Sequence, residues 1–181
     1  MPLIEKQLSH VLKPAHDLVR LTAAIEQSVA DNYFMPCSGA FLAIGVYNIS
    51  FMSSIQHLTA NAVLMEIAAR LKKVMRRGDD IGRISEDHLG IVLMKCRPDQ
   101  IAGATERFLA TITSIDTPGV SIDVTLSIAS VAFPDRGMMT SSEVIIQAET
   151  TLVEAMRGRP APKTQREPEE PSVVRPLRRQ G

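Results

Sequence analysis

The chain has 181 residues, with 20 basic and 20 acidic side chains and a formal net charge of zero. That length suits one domain of ordinary size with a tail, and the even charge gives no electrostatic basis for a general nucleic-acid or membrane-surface binder. Hydrophobic residues make up 45% of the chain but aromatics only 4%, with no Trp, so aliphatic side chains and nine Met must fill the core.

Residues 1–13 read as a short N-terminal helix, and the segment MPLIEKQLSH lacks the basic-then-apolar pattern of a leader peptide. Pro14 separates it from a second helix over Asp17–Ala30, where Leu18, Leu21, Ile25 and Val29 form a one-sided stripe. Phe41–Asn48, FLAIGVYN, is a nearly continuous apolar run of strand length and predicts a central strand buried on both faces. The wider apolar window Ala40–Met52 is short and interrupted by Asn48 and Ser50, so no membrane span is expected and the chain reads as cytoplasmic. Cys37 and Cys96 are too few for a disulfide framework or a metal cluster and fit thiols in a reducing compartment.

The strongest helical pattern covers Thr59–Arg77, with Val63, Ile67, Leu71 and Val74 on one stripe and Thr59 as N-cap. Its last turn is basic, and Gly78 is expected at C′. Two short apolar runs, Asp80–Ile84 and Leu89–Met94, predict a β-hairpin whose turn lies in RISEDHL, Arg83–Leu89. A helix over Pro98–Ile112 comes next, with Pro98 in its first turn. Val120–Phe133 alternates as a half-buried strand, and Ser141–Met156 is a final helix capped by Ser141 or Ser142. The residues after it are rich in proline and charge, and residues 160–181 are expected to be a disordered tail. No internal repeat is visible. The order helix, strand, helix, hairpin, helix, strand, helix predicts an α/β (α+β) fold, palm-like, with a ferredoxin-like central mixed sheet flanked by helices.

Several segments in that order resemble the GGDEF family, which contains the diguanylate cyclases that join two GTP molecules into cyclic di-GMP. RISEDHL is similar to the family turn R-L-G-G-D-E-F, AVLMEIAARLKK (Ala62–Lys73) to the helix before it, and TLSIASVAFP (Thr125–Pro134) to its V-T-x-S-I-G-x-A strand. IQAETTLVEAMRGR (Ile146–Arg159) resembles the terminal helix, with Met156 in its lysine position. The resemblance covers residues 15–159, after an extension of residues 1–14.

It implies an active site that has lost its chemistry. Cyclisation uses two Mg²⁺, which require oxygen ligands in octahedral geometry. Where the family has D-x-D-x-F-K-x-I-N-D, this chain reads GVYNISFMSS, so the metal-binding Asp becomes Gly45. No carboxylate occurs between Asp31 and Glu66. In the turn, Arg83, Ile84 and Asp87 match; the two glycines become Ser85 and Glu86, and the metal-binding Glu becomes His88. Imidazole is a poor Mg²⁺ ligand, and Glu86 adds negative charge where a triphosphate would lie. No catalytic residue, metal or cofactor is expected. A different metal site from Glu86, Asp87 and His88 is disfavoured because adjacent turn residues rarely converge on one ion. His10 and His57 are isolated and read as ordinary surface or part-buried residues.

The resemblance also implies a second nucleotide site, the inhibitory site with signature R-x-x-D. Counting back from Ser85 places Arg76 and Asp79 in its register, and ATERFL places Arg107 where the family often adds another arginine. A guanidinium can donate to guanine O6 and N7, and a carboxylate can accept from the opposite base edge. The plain alternative is that basic residues before a glycine are an ordinary helix end. Three functional readings are open. The first is a catalytically inactive receptor for cyclic di-GMP through Arg76, Asp79 and Arg107, acting on a protein partner and compatible with a homodimer, without nucleic acid. The second is a ligand-free docking or dimerisation module. The third, least supported, is a residual cyclase.

Overall fold

The long apolar run organises the domain. In the computed structural model, which describes residues 14–31, 37–47, 60–117, 120–134 and 139–157, that run forms β1 (Cys37–Val46). The antiparallel neighbours β3 (His88–Met94) and β6 (Leu126–Pro134) lie on either side of it, and β2 (Asp80–Arg83) pairs with the outer edge of β3. The sheet order is β2-β3-β1-β6, antiparallel at every pairing. Successive strand residues face opposite sides. Ala40, Leu42 and Ile44 therefore enter one core and Phe41 and Ala43 the other, and all five are fully buried. This is why the strand is apolar throughout instead of alternating.

Helices α1 (Pro14–Asp31) and α4 (Ser141–Arg157) cover the Phe41 face, placing Leu21, Ile25, Val144, Ala148 and Leu152 against Phe41 and Phe133. Helices α2 (Ala60–Val74) and α3 (Pro98–Thr111) cover the Leu42 face with Leu64, Ile67, Leu71 and Phe108. β4 (Ser114–Thr117) and β5 (Val120–Asp123) make a separate two-stranded sheet. The α+β, ferredoxin-like architecture agrees with the expectation from sequence, except that the four-stranded sheet is antiparallel throughout and not mixed.

Four differences from the sequence expectations have a clear physical reason. Pro14 opens α1 rather than preceding it, as its fixed φ and missing N–H permit in a first turn. Helix α2 ends at Val74, its last turn closed by Met75 N donating to Leu71 O at 3.1 Å, so Gly78 is not its C′ residue. Gly78 instead sits at φ +107° in a tight turn closed by Asp79 N donating to Arg76 O at 3.2 Å, where a left-handed residue is required. The strand predicted over Val120–Phe133 is two, β5 and β6. At the break, Val124 N donates to Thr113 O, and Thr125 O accepts from Tyr47 N, both at 2.9 Å. The residue that caps α4 is Thr140, not Ser141 or Ser142: its Oγ1 accepts from Glu143 N at 3.2 Å while Glu143 Oε2 accepts from Thr140 N at 2.7 Å. The N-terminal segment 1–13, Thr59 and the tail lie outside the described residues.

That capping box gives a testable pH dependence. The Thr140 backbone N–H, then its hydroxyl, hold the Glu143 carboxyl below the usual carboxylate range. A lowered folded value means the contribution is complete above the ordinary value and is lost as pH falls through the lowered one. Thr140→Ala is expected to cost about 1 kcal/mol at neutral pH, as lost N-caps do. Thermal melts should show the gap between parent and variant narrowing on acidification.

The outer edge of β2 would otherwise offer unpaired backbone groups to other chains. Helix α1 seals it. The buried Asp17 accepts from Arg83 N at 3.1 Å, and Arg20 donates to Ile81 O at 2.7 Å while pairing with Asp17 and Asp80.

Candidate functional site: a cleft between the α2–β2 turn and helix α3

The turn after α2 and the face of α3 border a shallow, solvent-open cleft whose cavity volume is only about 10 Å³, room for roughly one water molecule. Arg76 and Asp79 approach from the turn and Arg107 from α3, with Gln100, Cys96 and Ala104 completing that side and the end of β3 forming the floor. The three residues singled out from sequence thus border one space, although 28 positions separate Asp79 from Arg107.

Asp79 is tightly fixed. Its Oδ2 accepts from Arg76 N at 3.1 Å and its Oδ1 from Met94 N at 3.2 Å, so the carboxylate ties the turn to the end of β3. The Arg76 side chain is exposed and makes no hydrogen bond or ion pair among the described residues. Because α2 stops at Val74, Arg76 and Asp79 are paired by the tight turn, not by the i, i+3 spacing of a helix end. Arg107 lies with its guanidinium carbon 5.2 Å from the centroid of the fully buried Phe108 ring, a cation–π arrangement. Its Nε is buried and has no acceptor among the described residues, and a buried donor without a partner is costly in the absence of a ligand or water.

The other positions lie at the opposite end of β3. Gly45 and His88 are directly paired across β1 and β3. A Cβ added at Gly45 would lie 2.5 Å from Met156 Sδ on α4 and 3.3 Å from His88 Cδ2. The thioether therefore fills the space that a side chain at position 45 would enter. His88 is buried, with Nδ1 3.2 Å from Glu149 Oε1 and 3.7 Å from Asp87 Oδ1. In the turn, Ser85 Oγ donates to Asp87 Oδ1 at 2.9 Å, and Glu86 is exposed. Arg83 closes this loop: its guanidinium donates to Ser85 O at 2.8 Å, to Glu86 O and to Asn61 Oδ1. Among the described residues no group of three or more His, Cys, Asp or Glu is arranged to hold a metal, and no helix is long and apolar enough to cross a membrane. Ile49–Ser54, His10 and His57 fall outside the described residues, and Cys96 is a buried thiol.

Sequence reasoning missed three participants. Gln100 had a signal, since Gln three residues into a helix suits a capping box. Glu149 and Asp17 had none, because their partners lie 61 and 66 residues away.

The chain belongs to the GGDEF family: the family profile described as "Diguanylate cyclase, GGDEF domain" matches residues 41–159. It is similar to the uncharacterized protein YhcK of Bacillus subtilis (strain 168), 26% identical over 118 residues. That match takes in 64% of this chain and only 33% of YhcK, so the chain spans about a third of the curated relative's length. In fold it resembles the FimX GGDEF domain of Pseudomonas aeruginosa, with TM-score 0.70 and 17% identity over 85% of this chain and 94% of that one. It also resembles the GGDEF domain of DgcB from Caulobacter crescentus, solved in complex with c-di-GMP, with TM-score 0.64 and 12% identity over 80% and 81% of the two chains.

Proposed function

We propose that this protein is a catalytically inactive GGDEF-domain receptor that binds cyclic di-GMP through Arg76, Asp79 and Arg107 and passes the signal to a protein partner. The observation that carries the proposal is the convergence of those three residues on one cleft, with the Arg107 Nε buried and lacking an acceptor among the described residues. Two arginines flanking a carboxylate suit a ligand that combines phosphates with guanine edges.

The inactive half of the proposal rests on the other end of β3. Where the family resemblance puts two carboxylates side by side, Gly45 faces His88, and Met156 occupies the intervening space. A metal ion there would meet an imidazole and a thioether, neither suited to Mg²⁺.

One observation favours the ligand-free docking reading. Both Asp79 oxygens already accept backbone N–H groups, which gives R-x-x-D a structural reason to exist. Calorimetry separates the two readings. Titrating the full chain with cyclic di-GMP should give saturable heat, and absence of heat overturns the receptor reading in favour of docking. The same preparation with Mg²⁺ and GTP should yield no cyclic product, and sustained product formation would overturn the inactive assignment.

A further inference from the structure

The chain is neutral overall, but its cations are unevenly placed. Lys72, Lys73, Arg76 and Arg77 follow one another where α2 ends, and Lys95 comes directly after Met94, which Asp79 ties to the same turn. All five residues are exposed, and none forms an ion pair among the described residues. Lys72 and Lys73 suit a helix C-terminus, but Arg77 and Lys95 lie outside α2. The nearby carboxylates do not neutralise the group. Asp79 is taken up by two backbone N–H groups, Asp80 by Arg20 and Asp99 by Arg97. Like charges gathered in this way attract an acidic partner.

The chain carries such a partner. Glu167, Glu169 and Glu170 place three carboxylates within four residues, a density found nowhere else in the sequence. Arg166 and Arg175 flank this run without interrupting it. Helix α4 ends at Arg157, and the neighbouring Met156 stands over Gly45. Gly45 pairs with His88 and Gly39 with Met94, so the sheet separates that exit from Lys95 by about 20 Å. In a proline-rich chain the ten steps from Arg157 to Glu167 span about 30 Å. The acidic run therefore reaches the basic surface, with about 10 Å left to round the end of the sheet.

We infer that residues 167–170 dock on this basic surface of the same chain, their carboxylates pairing with Lys72, Lys73, Arg77 and Lys95 and covering Arg76. Because Arg76 also borders the cleft, the docked run competes with an anionic ligand there. That competition rests on the receptor reading; the docking does not.

A zero-length carbodiimide, which joins a lysine amine to a carboxylate with loss of water, reads the contact on the full chain. In a mixture of isotopically light and heavy protein, peptides linking Lys72, Lys73 or Lys95 to Glu167, Glu169 or Glu170 should come from within single chains. Their yield should collapse in about 1 M salt, where the screening length is about 3 Å. Arg77→Glu, at an exposed position that leaves the melting temperature unchanged, should lower the yield about threefold or more. No such links, links only between light and heavy chains, or a yield indifferent to salt and to Arg77→Glu would overturn the docking. Replacing all three glutamates by Gln should tighten cyclic di-GMP binding about threefold or more, and unchanged affinity would overturn the covering of Arg76. If neither form bound cyclic di-GMP, the receptor reading would fall while the links still decided the docking.

Discussion

Arg107→Ala is expected to weaken cyclic di-GMP binding by about thirtyfold or more, the ~2 kcal/mol loss that marks an arginine hot spot. Arg107 is the sharpest probe because its guanidinium does so little for the free protein. It rests on the Phe108 ring, its Nε is buried without an acceptor among the described residues, and its own backbone carbonyl serves Thr111. Removing the side chain deletes an unsatisfied donor along with a modest cation–π contact, so stability should change by less than about 1 kcal/mol. Asp79→Ala is a poorer probe. It would free Arg76 N and Met94 N together, and any lost affinity would be mixed with a loosened turn. Lost binding in Arg107→Ala with an unchanged melting temperature is the expected result, and full affinity in that variant would remove Arg107 from the site.

The legibility of these features in the sequence tracked the range of the interactions behind them. Strand β1 was legible because burial on both faces makes nearly every residue apolar, a local signal. The end of α2 was not. Its helical stripe runs to Val74 and its basic residues continue to Arg77, but Asp79 draws Arg76 N into a turn, a contact that composition does not encode. The division of Val120–Phe133 was hidden for a similar reason: the apolar alternation continues through Val124 while the pairing partner changes from β4 to β1. The serines beside Thr140 are equally good N-caps by residue type, and only Glu143 three residues on carries the capping-box spacing that singles out Thr140. At the site, register alone put Arg76, Asp79 and Arg107 together. Two features arise only in the folded structure: both Asp79 oxygens are engaged, and Met156 stands over Gly45.

The edge of β2 should be where the fold is most sensitive to a single polar change. Asp17→Ala is expected to destabilise the protein by about 2–3 kcal/mol, because it leaves Arg83 N, a buried backbone donor, without its acceptor and removes a buried charge partner of Arg20. The lower part of the range for breaking a buried pair applies, since the Arg20 side chain is 37% exposed and keeps Asp80 and water as partners. For a domain of this size the loss corresponds to a fall in melting temperature of roughly 4–12 °C. Asp17→Asn distinguishes the two contributions. It retains an oxygen for Arg83 N and loses only the charge, so a cost of about 1 kcal/mol is expected if the hydrogen bond to the strand dominates. Equal damage from both substitutions would instead assign the effect to the ion pair with Arg20. The Arg83 guanidinium also clips the turn at Ser85 and Glu86. Loosening its backbone at Asp17 should therefore speed amide exchange through residues 83–88, while Met94, held by Asp79 at the far end of β3, stays protected.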